Sequence, residues 1–431
     1  MLKLTLSMGE NVTTELLEGH AVRYVVPSSL SPKSFVEAYT EAMSQPIGCV
    51  SLSEEKFKKP ALIFADNTRK FSLFVPLLVN ALSEKGYLKL ICACGTHKSP
   101  SEEHFKAVLG EGLYEKFKSS LSISTTRADC GYESIGSTTR GTPVELNSEL
   151  FDRDFIVSTL NVQPHYFAGF EGGCKALLPG CSSLKTILAN HGRAIGNPRT
   201  RELMISGNDV REDVDEVSDL LERVKGIKHR ILDFTLNPNG SVAKAVYGKP
   251  PEAHRVLAED YAMKIWAVEA EPARLVISVA DGPLGLNLYQ ALKAASFAAD
   301  LTVTGLRPKS RVLLLASLRD GVGGEAFAYE MERYGRWEAS ETMNDLKRRA
   351  EAKDITEASQ KPNRLALDDN RANFVIVSPN APAEVELLLS KTKYRFYRSL
   401  DEAIRDSPQE LLSNVAVIPQ GAGTVPVPKQ T

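Results

Sequence analysis

"PALIFADNTRKFSLFVPLLVNALSEKGYLKLICACG", residues 60 to 95, decides the fold. Its opening, "PALIFAD", is a short apolar run that halts at Asp66, and its close, "LKLICACG", is a second such run. Between them Phe71, Phe74, Leu77, Leu78 and Leu82 recur at helical spacing before the stop glycine Gly86. "SPSEEHFKAVLG" follows as a helix opened by serine, proline and acids, and "FDRDFIVSTLN" as a further strand. Strands alternating with helices imply parallel pairing, with the helices laid over the sheet.

The alternation resumes further on. "ARLVISVADG" (273–282) reads as a strand, "LNLYQALKAASFAAD" (286–300) as a helix, and "SRVLLLASL" and "RANFVIVSPN" as strands. At 431 residues the chain is also too long for one ordinary core. The expected fold class is therefore α/β with two domains, each a largely parallel sheet flanked by helices, and an active site in the interdomain cleft. The boundary is expected near "VEAEPAR" (268–274), where a proline follows a long helical pattern. This gives a first domain over 1–268 and a second over 269–401, with the tail 402–431 returning to the first.

Composition narrows the function. A 43% hydrophobic and 25% charged chain is that of a globular protein, and 52 basic against 54 acidic residues give no electrostatic case for nucleic acid or an anionic membrane. No run is long and apolar enough for a membrane span, and the opening residues lack the apolar stretch of a signal peptide. Six sparse, irregularly spaced cysteines point to reduced thiols and a cytoplasmic location.

Ligands of parallel sheets collect at the carboxyl ends of strands. Three such ends carry polar chemistry: "ADNTR" (65–69), "GTHK" (95–98) and "NVQPHYFAGFEGGCK" (161–175). Asp66, Asn67, Thr68 and Arg69 sit at a strand-to-helix junction and read either as helix caps or as an anion site with an arginine fork. His97 and His165 lie on loops after strands, and His191 just beyond a helical run. None fits a zinc spacing, and "GFEGGCK" fails the phosphate-loop pattern because alanine follows the lysine.

Together "DNTR", "GTHK", "PHYFAGFEGGCKALLPG", the "NH" at 190–191 and "LNLYQALKA" resemble the lactate racemase family, in order and over most of the chain. The resemblance implies a racemase or epimerase inverting the α-carbon of a 2-hydroxy acid, with a nickel-pincer nucleotide as cofactor. It implies that Lys175 anchors this cofactor as a thioamide and that His191 is the protein ligand of nickel, a setting of soft sulfur and imidazole that suits the metal. Asp66, Asn67, Thr68 and Arg69 then belong to the cofactor-binding segment. His97 and His165 become the two bases that move the hydroxyl proton, one for each enantiomer. Gln290 and Lys293, three apart on one helix face, become the substrate-binding pair. Partners implied are the small 2-hydroxy acid and the enzymes that make the cofactor.

Departures from the family pattern fall at Cys94, Lys98 and Glu171, with Cys174 in a variable position. Lys98 in place of arginine lacks a bidentate fork. Glu171 is expected to face solvent. A different reading stays open, a metal-dependent hydrolase with His97, His165 and His191 as direct ligands.

Overall fold

The computed structural model describes residues 2–7, 11–16, 22–68, 73–128 and 130–429. Residues 29–265 form one compact unit, and residues 266–429 with the described residues before Ser29 form the other.

The first unit is built on six strands: β1 (Pro60–Ala65), β2 (Lys89–Gly95), β3 (Leu121–Thr125), β4 (Phe155–Thr159), β5 (Lys228–Leu236) and β6 (Val242–Gly248). Their order across the sheet is β6-β5-β4-β1-β2-β3, and every pairing is parallel except the β5–β6 hairpin. Leu62 and Phe64 of β1 pack on one face with Leu90, Cys92 and Phe155, while Ala61 and Ile63 pack on the other with Ile91 and Ile156. Both faces are buried, which is why these strands read as unbroken apolar runs.

Around the sheet run α1 (Phe35–Ser44), α2 (Val75–Ser83), α3 (Glu102–Leu109), α4 (Leu184–His191), α5 (Asp209–Lys225) and α6 (Pro250–Leu257). Their ends carry local signals. Ser34 and Glu37 form a reciprocal capping box on α1, and Asn208 accepts the Val210 and Arg211 amides at the start of α5. One expectation changes here. Because α2 begins only at Val75, the Asp66–Thr68 segment is no helix cap. Arg69 and Phe71 lie outside the described residues.

The second unit holds β7 (Leu275–Ala280), β8 (Arg311–Ala316), β9 (Asn373–Val377), β10 (Arg395–Tyr397) and β11 (Val415–Ile418). They line up as β10-β9-β8-β7-β11, with the amino-terminal strand Val22–Tyr24 on the far edge, all parallel. One helix matters below: α7 (Leu288–Ala299). On α7 Ala291, Ala294, Ala295 and Ala298 are fully buried, so the helix is enclosed by protein on most of its circumference.

The sheet corrects the domain boundaries in two places. Val22–Tyr24, assigned by sequence to the first domain, pairs with β11. The tail, expected to return to the first domain, supplies β11 beside β7, and Val425–Pro428 pairs with Ala267–Ala270. Both are pairings between distant segments, which no local pattern encodes. Among the described residues no helix is long and apolar enough to cross a membrane, and all six cysteines are free thiols.

Candidate active site

Strands β4, β1 and β2 are neighbours and parallel, so their following loops leave from the same edge of the sheet. The loop after β1 carries Asp66, the loop after β2 carries His97, and the chain beyond β4 carries His165 and Lys175.

Asp66, only 3% exposed, organises the first two loops. Its Oδ1 accepts from the Thr68 amide (2.9 Å) and hydroxyl (2.5 Å), while Oδ2 lies 2.7 Å from His97 Nδ1. A carboxylate can only accept, so Nδ1 carries the proton and the basic lone pair of His97 sits on Nε2. Asp66, placed by the resemblance in the cofactor-binding segment, also orients His97 through this contact. Asn67 and Lys98 are exposed.

His165 is held in the opposite sense. It opens a tight antiparallel turn in which it pairs with Gly169, and it is buried. Its Nδ1 faces the backbone amides of Ala168 (3.2 Å) and Phe167 (3.5 Å). An amide can only donate, which puts the proton of the neutral ring on Nε2. The Phe167 ring then bridges two imidazoles, with its centroid 4.5 Å from that of His165 and 5.0 Å from that of His191.

Lys175 lies in a short helical turn, Gly173–Ala176, that follows a pinned loop. Arg211 from α5 donates to the carbonyls of Phe170 (3.3 Å) and Gly172 (3.0 Å), and His254 Nε2 reaches the Glu171 carbonyl at 2.8 Å. Asp233 from β5 accepts the amides of Leu160 (2.8 Å) and Gly173 (2.6 Å). Gly172 and Gly173 adopt left-handed φ of 85° and 64°, and a Cβ on either would run into Asp233, Arg211 or His254. Burial raises the Asp233 pKa to about 7, against the two amide hydrogen bonds that oppose it. Glu171, expected in solvent, is instead 5% exposed, and its Oε2 sits 3.1 Å from Lys175 Nζ. The pinned loop turns the Glu171 side chain inward, where a buried carboxylate requires a cation.

His191 closes α4. Burial, reinforced by the charge of Lys175, holds its pKa down to about 3, so the ring is neutral. Its Nδ1 lies 3.1 Å from Asn190 Oδ1. The Asn190 amide is fixed in turn, since its nitrogen donates to Asp213 Oδ2 (2.8 Å) and to the Val210 carbonyl (3.2 Å). His191 Nδ1 therefore donates, and Nε2 is the free lone pair. A neutral imidazole whose second nitrogen is held by a fixed acceptor is the donor that transition metals select. The lysine amine and this imidazole fit a covalently held nickel cofactor. Among the described residues, no three His, Cys, Asp or Glu side chains form a group that could hold a metal, so the three-histidine hydrolase has no ligand set there.

Gln290 and Lys293 lie on α7 of the second unit. Gln290 is half-buried, with its amide on the Asn287 cap (3.0 Å), and Lys293 is 3% exposed with its ammonium over the Phe297 ring. Asn190, Asp213, Arg211, Asp233 and His254 were missed as functional residues. Only Asn190 had a sequence signal, its place directly before His191.

An α/β enzyme with oriented histidines and a half-buried lysine on one sheet edge is the class that this fold and geometry define. Two family signatures match the chain, the lactate racemase N-terminal domain over residues 9–202 and the lactate racemase C-terminal domain over residues 268–426. The chain belongs to the lactate racemase family, and so to the isomerases. Lactate racemase of Thermoanaerobacterium thermosaccharolyticum is 29% identical over 334 residues, 75% of this chain and 74% of that protein. Lactate racemase of Lactiplantibacillus plantarum is 27% identical over 304 residues, 68% of this chain and 69% of that one. The fold also matches the solved lactate racemase apoprotein from T. thermosaccharolyticum, with a TM-score of 0.84, 24% identity and coverage of 99% and 100% of the two chains. A Thermotoga maritima protein of solved structure follows, with a TM-score of 0.67, 15% identity and coverage of 87% and 94%.

Proposed function

We propose that this isomerase is cytoplasmic and inverts the hydroxyl-bearing α-carbon of a 2-hydroxy acid, using a nickel-pincer nucleotide supplied by other enzymes and anchored on Lys175. The observation that carries the reading is the contrast between the two loop histidines. His97, tied to Asp66 through Nδ1, offers a basic Nε2, whereas His165, accepting at Nδ1, offers an Nε2–H. Both Nε2 atoms are thereby oriented to exchange a proton with a substrate hydroxyl, and inversion calls for two such groups, one for each enantiomer.

When bound, the nickel-pincer nucleotide accepts hydride from Cα and gives it back. Lys175 would hold it covalently and His191 Nε2 would ligate its metal. Asp66, Asn67, Thr68 and Arg69 would form its binding segment, with Asp66 also orienting His97. In one direction His97 would take the hydroxyl proton at Nε2 and His165, entering that direction as the imidazolium, would return a proton to the inverted oxygen, and in the other direction the roles would exchange. The substrate loses and regains one proton and one hydride, and proton exchange with solvent resets the two histidines between turnovers. Gln290 and Lys293 would hold the substrate, with Lys293 on its carboxylate. The test is a chiral assay of cofactor-loaded protein with lactate, malate, 2-hydroxyglutarate and sugar acids. Inversion of at least one supports the reading, and inversion of none refutes it.

A further inference from the structure

Glu171 and Lys175 stand four residues apart, and each is fixed through its backbone on both sides. The Glu171 amide donates to the Gln163 carbonyl at 2.8 Å, and the Glu171 carbonyl accepts from His254 Nε2 at 2.8 Å. The Lys175 amide donates to the Gly172 carbonyl at 3.3 Å, and the Lys175 carbonyl accepts from the Gly180 amide at 3.1 Å. Held in this way, Glu171 Oε2 lies 3.1 Å from Lys175 Nζ, with the two side chains 7% and 10% exposed. The charged groups that support the loop are committed elsewhere. Asp233 holds the amides of Leu160 and Gly173, and Arg211 holds the carbonyls of Phe170 and Gly172 and lies 3.3 Å from Asp215.

An ammonium has no lone pair, so Lys175 can form a covalent bond only after giving up a proton. Glu171 Oε2 lies within the roughly 2.6–3.2 Å over which a general base takes one. Low exposure favours the transfer, since a neutral amine beside a carboxylic acid needs less solvation than the two ions. The acid so formed is in turn a proton donor beside the same nitrogen.

We propose that Glu171 is the proton shuttle of cofactor anchoring, a step that precedes racemisation. This rests on the reading above, in which Lys175 carries the nickel-pincer nucleotide. Glu171 takes a proton from the Lys175 ammonium, and Nζ bonds to the carbon of a thiocarboxylate arm. The C–O bond of that arm breaks as Glu171 returns its proton, and relays a second from the nitrogen, to the departing oxygen. One ammonium and one thiocarboxylate become one thioamide and one water, with no change of oxidation state, and Glu171 ends as a carboxylate. Glu171 is one of the positions at which the sequence departs from the family pattern, so the shuttle belongs to this chain.

The test follows adduct formation by intact mass after the unloaded full chain is mixed with the nickel-pincer nucleotide made by its biosynthetic enzymes. The natural chain should gain the mass of the nucleotide less one water. Glu171→Gln should form the adduct about a hundredfold or more slowly. Glu171→Asp keeps the ion pair on a shorter arm, and should bind the nucleotide normally yet form the adduct about tenfold more slowly. A second readout separates the bond from the binding. In either variant, at times when the natural chain is fully modified, the nucleotide should co-elute with the native chain and be released by denaturant. Equal adduct rates in all three chains, or a loss of native nucleotide binding that matches the loss of adduct in Glu171→Asp, overturns the inference and leaves Lys175 as the anchor. No adduct on the natural chain overturns both.

Discussion

His97 Nδ1 lies 2.7 Å from Asp66 Oδ2, although 31 residues separate them in the chain. Adjacent parallel strands bring the two loops together, and the Thr68 amide and hydroxyl lock the carboxylate from its other side. An asparagine at position 66 would have its oxygen claimed by Thr68 and would turn its amide toward His97. That forces the wrong tautomer. Asp66→Asn should lower kcat by about a hundredfold or more, with little change in KM, and leave the circular dichroism spectrum unchanged. An unaltered kcat would remove Asp66 from the proton path.

The relay from Asp213 through Asn190 holds the His191 Nδ1 proton in place. Asn190→Leu keeps the volume and removes the acceptor. Nickel affinity of the loaded protein should fall about ten- to hundredfold, read as metal retained after dialysis against a chelator. Full retention would mean that His191 needs no such support.

Glu171 and Lys175 form an ion pair in the unloaded protein, with side chains 7% and 10% exposed. Removing the carboxylate takes away this charge pairing, so Glu171→Gln should destabilise the unloaded protein by about 1–3 kcal/mol. Once the amine is a thioamide that charge is gone, and the same substitution should cost far less. Thermal melts of loaded and unloaded protein, with and without the substitution, measure the difference. An equal cost in both forms would separate Glu171 from the chemistry of Lys175.

Acid sensitivity follows from the buried neutral histidines. Burial, with Arg230 adding to it, depresses the His229 pKa from 6.5 to about 3. Such a group gains a proton on unfolding, so its contribution is lost as pH falls from 6.5 toward 3. Asp233 has the opposite sign. Its pKa is raised from 3.8 to about 7, so its contribution is full at acid pH and lost as pH rises through that range. His229→Gln should flatten the acid loss by up to about 1.4 kcal/mol per pH unit in urea denaturation between pH 6 and 4, roughly the span set by the shift. An identical slope in variant and natural chain would contradict a neutral His229.

Much of this was legible in the sequence for a physical reason. Strands buried on both faces, such as Pro60–Ala65 and Leu275–Ala280, announce themselves as apolar runs. His97 and His165 stood out because they lie on loops after such runs, whereas Lys175 and His191 drew their roles from the family resemblance. Their supports stood out in neither way. Asp213 stands 23 residues from Asn190, Asp233 stands 60 from Gly173, and His254 stands 83 from Glu171. Contacts over those separations exist only once the sheet has formed.

The central claim is that Lys175 carries the cofactor, and the direct measurement is the intact mass of the full chain expressed together with the cofactor's biosynthetic enzymes, followed by peptide mapping and nickel analysis. The account predicts an adduct on Lys175 with stoichiometric nickel. An unmodified Lys175, under conditions that load the lactate racemase of T. thermosaccharolyticum, would contradict it.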